Sequence, residues 1–248
     1  MLKHPPNNNR SQGGGVAGEP RFPAIDPRIS KRNIPGKGIG YVAQKDIEPG
    51  CIIIREKPAF YIPKDEAITS EIFQLLYQVM TSKDAVQIRK FMKLVPLTPE
   101  NNEQRERVLE EYNHLQKVDP VLYKYFKDNI ELEHLLILCY KYIQNAFRID
   151  GYGPCILLTG ACLNHSCIPN VVFTNKKGVI MFKTVRKINK GEEICDHYVG
   201  LLISESKRRE RLKSQYGFEC TCLRCLANGK EKQRFYEECK DIQAEKIT

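Results

Sequence analysis

The sequence predicts an α+β chain: short, mostly antiparallel strands frame a helical insert, and a metal-binding module closes the C-terminal side. Three observations lead there. Short apolar runs punctuated by glycine and proline occupy residues 34–62 and 156–184. Between them, from about Asp65 to Phe147, the apolar period becomes helical. Near the C-terminus, Cys220-Thr221-Cys222-Leu223-Arg224-Cys225 places three thiols within one tight turn. A tetrahedral zinc needs a fourth ligand from elsewhere. If Cys167, in Leu163-Asn164-His165-Ser166-Cys167-Ile168-Pro169-Asn170, supplies it, the metal ties two remote pieces of chain together.

Taken in order, residues 1–20 are rich in Asn, Gly and Pro, lack periodicity and are expected to be a disordered tail. Residues 21–64 hold the N-terminal strands: Gly40–Ala43, a turn at Glu48-Pro49-Gly50, and Cys51–Arg55. The insert, 65–147, begins with a helix whose face is Ile68, Ile72, Leu75, Leu76 and Val79. Ser82 is expected to N-cap a second helix ending before Pro96. Thr98-Pro99 and Asp119-Pro120 each read as a cap followed by proline at the first helical position. Glu131–Phe147 is a further helix. The C-terminal core, 148–203, resumes strands at Ile156–Leu158, Val171–Thr174 and Val179–Thr184, with a turn at Lys177-Gly178. In the module 204–228, Ser204 caps a basic helix that Gly217 ends. Residues 229–248 are a polar tail, helical or disordered.

Composition excludes several classes. At 248 residues, 42% hydrophobic and 28% charged, the chain can bury a full core. No apolar run approaches a membrane span, and residues 1–20 hold no apolar signal core. The ten cysteines then suit reduced thiols and a metal site better than disulfides, in an intracellular chain, nuclear or cytoplasmic. Cys51, Cys139, Cys155, Cys162 and Cys195 lie in apolar stretches and are expected to pack as small hydrophobes. Cys239, in a charged stretch, is expected to be a free thiol. The formal net charge is +9, with basic residues thickened in Lys3–Lys37, Lys176–Lys190 and Lys207–Lys213. That favours a solvated face, with chromatin association as the alternative; no aromatic-basic interleaving marks a nucleic-acid reader. A monomer is expected.

Three motifs in order carry a family resemblance: Asn164-His165-Ser166-Cys167-Ile168-Pro169-Asn170, then Gly191-Glu192-Glu193-Ile194 followed by Tyr198, then Tyr216, Phe218 and the cysteine cluster. Together they resemble the SET-domain protein lysine methyltransferases, in spacing most like the SET-and-MYND-domain (SMYD) branch, over about Ile34–Ala227 and weakly across Lys64–Glu133. The chain departs from that branch where a MYND zinc finger would follow Ile62, and no long helical-repeat tail follows Cys225. Partner choice by those parts does not carry over. The resemblance implies a β-clip SET fold whose C-terminal segment threads under a preceding loop, a protein or peptide lysine as substrate, S-adenosylmethionine as cofactor, and one structural zinc on Cys167, Cys220, Cys222 and Cys225.

The resemblance also assigns roles. The backbone of Lys37 and Gly38, in Gly36-Lys37-Gly38-Ile39-Gly40, would hold the methionine part of the cofactor, with the Lys37 side chain facing solvent; a plain glycine turn is the alternative. Asn145, ending the last insert helix, would bind the cofactor's amino-acid end or serve as a local cap. Asn164 would hold the methionine amine and the His165 backbone would meet the adenine. Tyr198 and Tyr216 would line the lysine channel as the catalytic pair, Tyr198 would also contact the cofactor at its transferring methyl, and Phe218 would stack on the adenine. Strand alternation turns Asp196 and Tyr198 to one side and His197 to the other, so His197 reads as structural. A catalytically silent SET module that binds peptide or chromatin is the competing reading. A nucleic-acid-binding zinc protein, resting on charge and cysteines, is a third.

Overall fold

The computed structural model describes residues 22–64, 68–96, 102–149 and 152–245. The tail 1–20, the start of the insert at Asp65 and the Thr98-Pro99 cap lie outside them. Strands β1 (Ala24–Ile25) and β2 (Ile29–Ile34) lead to β3 (Gly38–Ala43). β2 and β3 pair antiparallel from Ile29↔Ala43 to Ile34↔Gly38. Their turn passes through Gly36 and Gly38 at φ 72° and 75°, a region that a Cβ would strain. β4 (Ile52–Glu56) and β5 (Phe60–Tyr61) follow.

Among the described residues the insert holds five helices: α1 (Glu71–Thr81), α2 (Ala85–Met92), α3 (Asn102–Val118), α4 (Pro120–Asn129) and α5 (Leu132–Asn145). Ser70 caps α1, and Asp119 accepts from the Leu122 N–H at the start of α4, with Pro120 at its first turn. Ser82 proves to be the C-terminal cap of α1; the N-cap of α2 is Asp84, whose carboxylate takes the N–H groups of both Val86 and Gln87. A carboxylate there satisfies two orphan donors and faces the positive end of the helix. Phe73, Leu75, Leu76, Phe91, Phe126 and Leu136 bury themselves together and hold the insert as one body.

Beyond it run β6 (Ala146–Arg148), β7 (Pro154–Ile156), a short 3-10 turn (Gly160–Cys162), β8 (Asn164–His165), β9 (Val171–Lys176), β10 (Val179–Thr184) and β11 (Glu193–Asp196). The strand expected at Ile156–Leu158 sits two residues earlier, because Leu157 onward turns into the 3-10 segment. Among the described residues three small sheets result, ordered β1-β4-β10-β9, β2-β3-β11-β8 and β5-β7-β6. Tyr41, Ile53, Ile54, Ile180 and Phe182 form the core between them. In the second sheet β11 pairs antiparallel with β3 but parallel with β8, at Cys195↔Asn164 and Asp196↔His165. Asn170 fastens this crossing: its Oδ1 accepts from Cys195 N (2.8 Å) and its Nδ2 donates to Glu193 O (2.8 Å).

Helix α6 (Glu205–Tyr216) is capped by Ser204 and ended by Gly217 at φ 76°. α7 (Leu223–Leu226) and α8 (Gly229–Glu245) complete the chain. The polar tail is therefore a docked helix over Gly229–Glu245, and Cys239, a free thiol as expected, is fully buried in it. Phe235, Cys239 and Ile242, at spacing three to four, form one face against Ile168, Val172, Leu201 and Ala227. Burying an aromatic or aliphatic side chain contributes roughly 1.5–3 kcal/mol, so Phe235 and Ile242 both help to hold it down. Among the described residues, no helix is long and apolar enough to cross a membrane.

Candidate functional site

The Sγ atoms of Cys167, Cys220, Cys222 and Cys225 lie within 4.8 Å of one another. Cys225 Sγ is 3.6 Å and Cys220 Sγ 4.0 Å from Cys167 Sγ. Zn–S bonds of about 2.3 Å in a tetrahedron give S···S edges of about 3.8 Å, so the four thiols fit a zinc ion with no ligand position left open. Such a site carries two net negative charges when loaded. Arginines surround it: Arg209 donates to the carbonyls of Cys220 (3.3 Å) and Cys225 (2.8 Å), and buried Arg224 to that of Cys167 (3.0 Å). These bonds orient the ligand backbone and oppose the cluster's charge.

From the cluster the geometry runs directly to Tyr198. His165, two residues before Cys167, is buried. Its Nδ1 accepts the Tyr198 backbone N–H at 3.0 Å, and its Nε2 is 3.3 Å from Cys167 Sγ. Because Nδ1 accepts, the ring proton sits on Nε2 and points at the thiolate. One imidazole thus links the metal cluster to the strand end that carries Tyr198. The Tyr198 hydroxyl donates to Leu163 O at 2.7 Å. Its ring meets Tyr216 at 4.8 Å, His165 at 5.3 Å and Phe218 at 6.5 Å between centroids. Burial, and then the negative charge of Asp196, raises the Tyr198 hydroxyl far above the usual tyrosine range; Tyr216 is raised for the same reasons. Both phenols are neutral at physiological pH.

The other flank is polar. Asn164 Nδ2 donates to Glu193 Oε1 (2.9 Å), and Lys37 Nζ pairs with Glu193 Oε2 (2.5 Å). The Lys37 side chain stays exposed, as expected, and in addition reaches β11, where a carboxylate remote in sequence pairs with it. A Cβ built on Gly38 would meet nothing within 4 Å, so open space lies above the glycine turn. Asn145 is not part of this group: its Nδ2 donates to Val95 O (2.5 Å) and Lys141 O (2.8 Å) at the helix end. It shares with Tyr198, Tyr216, Tyr142, Gln104 and His197 the lining of a cleft of about 920 Å³ between insert, core and α6. His197 lies edge-on to Phe173 and 3.3 Å from Asp196.

With that geometry in place, comparison with known proteins decides the family. A family model described as "SET domain" matches residues 38–199. The chain belongs to the SET-domain family. The putative SET domain-containing protein L678 of Acanthamoeba polyphaga mimivirus is 36% identical over 224 residues, 90% of this chain and 86% of that protein. N-lysine methyltransferase SMYD2 of Homo sapiens is 33% identical over 114 residues, 44% of this chain and 26% of SMYD2. This SET domain therefore spans about a quarter of that relative's length. In fold it is similar to the SET domain of LSMT, in a structure described as bound to MeLysine and AdoHcy. The TM-score there is 0.60 at 19% identity, covering 78% of this chain and 53% of that one.

Two residues of this SET domain's site were given no role from the sequence. Glu56, at the end of β4, is buried, and its carboxylate accepts the N–H groups of Thr159 and Gly160, both at 2.8 Å. Burial pushes its pKa up against those bonds. It braces the 3-10 turn that delivers Leu163 and Asn164. Glu193 belongs to a recognised motif, yet its partners, Lys37 and Asn164, come from strands far apart in sequence.

Proposed function

We propose that this SET domain transfers a methyl group from S-adenosylmethionine to the side-chain amine of a protein lysine, histone or non-histone. The observation that carries the reading is the setting of Tyr198: a neutral phenol, its proton committed to Leu163 O, inside a ring of His165, Tyr216 and Phe218 beside Asn164. Its relatives' names, N-lysine methyltransferase among them, point the same way. The residues present fit the cofactor: an open glycine turn with Lys37 and Gly38, the Asn164 amide for the amino-acid end, and the Phe218 ring for the adenine. When bound, S-adenosylmethionine supplies a methyl group on a positively charged sulfur.

The chain's own residues then do three things. Exclusion of water between the Tyr198 and Tyr216 rings desolvates a lysine ammonium, whose ordinary pKa is about 10.4, and so favours the neutral amine that can attack. Because the Tyr198 proton is spent on Leu163 O, its oxygen presents only lone pairs inward; it accepts an amine N–H and aims the nitrogen lone pair along the transfer line. Held above its usual range, Tyr198 takes no proton itself, and the amine's proton leaves to water before transfer. The zinc cluster, through His165, fixes the strand end on which this depends. Incubation of the chain with S-adenosylmethionine carrying labelled methyl and whole-cell protein extract tests the reading: label is expected in protein. A chain that binds the cofactor and labels nothing is the silent module instead.

A further inference from the structure

We propose that Glu193 is a positioning residue for the cofactor's amino-acid end: its carboxylate fixes the Asn164 amide so that Oδ1 faces the methionine ammonium. The inference rests on the reading that S-adenosylmethionine binds beside Asn164. β11 lies between β3, where Glu193 pairs with Val42, and β8, where Asn164 pairs with Cys195. From that central strand the carboxylate reaches both sides, to Asn164 Nδ2 at 2.9 Å and to Lys37 Nζ at 2.5 Å. A carboxylate only accepts, so the amide must turn its NH2 toward Glu193 whatever orientation it would adopt alone. Oδ1 is then left on the far side. A protonated α-amine has donors only and needs that acceptor.

Gly40 supports the arrangement from below. A Cβ there would stand 2.6 Å from Asn164 Nδ2 and 2.8 Å from Ile34 Cγ1, so the floor under the amide has to be bare backbone. The third glycine of Gly36-Lys37-Gly38-Ile39-Gly40 thus makes room for Asn164. Lys37 neutralises the second carboxylate oxygen, so Glu193 presents little net charge to the carboxylate of an incoming amino-acid group. Glu192, beside it in sequence, is spent elsewhere: it accepts from Arg186 Nη2 (2.5 Å), Asn170 Nδ2 (3.2 Å) and Asn189 N (3.1 Å). The two glutamates of Gly-Glu-Glu-Ile therefore have separate tasks.

Calorimetry with two ligands tests this. S-adenosylmethionine carries the amino-acid end; 5′-methylthioadenosine keeps the adenosine and lacks it. Glu193→Leu is expected to weaken the first by roughly tenfold to a hundredfold and the second by less than about twofold. Glu193→Gln, which keeps an acceptor for Asn164 but loses the Lys37 pair, should fall between parent and Glu193→Leu for the first ligand only; it supplies the comparison should Glu193→Leu not fold. Equal loss for both ligands, or unchanged affinity for S-adenosylmethionine, overturns the proposal. A parent chain that binds neither ligand overturns the functional reading on which it stands.

Discussion

Replacing Tyr198 by Phe removes one oxygen and keeps the ring, so its consequences divide cleanly. The ring still packs against Tyr216 at 4.8 Å and His165 at 5.3 Å. The Leu163 carbonyl, on a residue 1% exposed, loses the donor now at 2.7 Å. Leaving such a group unpaired costs about 1–3 kcal/mol, which lowers Tm by about 2–12 °C in a chain of this size. Cofactor affinity should be unchanged, because Lys37, Asn164 and Phe218 are untouched. Methyl transfer should fall by a factor on the order of 10²–10³, the scale of one lost polar contact in the transition state. The assay is single-turnover transfer from labelled S-adenosylmethionine to protein extract, with calorimetry and thermal melting in parallel. Full activity in Tyr198→Phe would refute the assignment of the amine-orienting oxygen. Lost cofactor binding would show that the hydroxyl acts through the fold and not on the amine.

Cys222→Ser should leave the purified chain with substoichiometric zinc and loosen α6–α8 first, since metal binding at such sites is coupled to folding; metal analysis and hydrogen exchange check it, and full zinc content would remove Cys222 from the ligand set. Asn164→Ala should weaken S-adenosylmethionine by roughly tenfold to a hundredfold in calorimetry, the worth of one hydrogen bond to a charged group. The transfer rate should climb from pH 7 toward about pH 9–10 as the target lysine loses its proton. No fall should appear on that limb, because burial holds the Tyr198 hydroxyl protonated throughout. A fall in rate above neutrality would point to an unrecognised group that must stay protonated.

Much of this was legible in the chain because local chemistry encodes it. Ser204 and Gly217 bracket α6, Asp119-Pro120 starts α4, and Lys177-Gly178 turns the β9–β10 hairpin, each through a residue suited to that backbone. The four metal-site cysteines were legible from cluster spacing and motif order together. What failed was whatever depends on partners distant in sequence. The free thiol of Cys239 was legible, but its burial was not, because its sequence neighbours are charged while the α8 face that carries it closes over Ile168 and Val172. Lys37 read as solvent-facing, and it is exposed, but its pairing with Glu193, 156 residues on, had no local signal. Asn145 left two readings open, and its amide nitrogen is engaged locally, by carbonyls of Val95 and Lys141. Strand alternation puts Glu56 on the buried face of Ile54, but gives no sign of what a carboxylate there would pair with, since its partners are two backbone N–H groups about a hundred residues on.

The central claim is transfer of a methyl group from S-adenosylmethionine to lysine nitrogen. The most direct test is mass spectrometry of whole-cell protein extract after incubation with the chain and S-adenosylmethionine carrying a deuterated methyl group. The account predicts heavy methyl on lysine Nζ, dependent on the chain, strongly reduced with Tyr198→Phe and absent when the cofactor is omitted. Heavy methyl on arginine or histidine instead, or none from a chain that calorimetry shows to bind the cofactor, would contradict it.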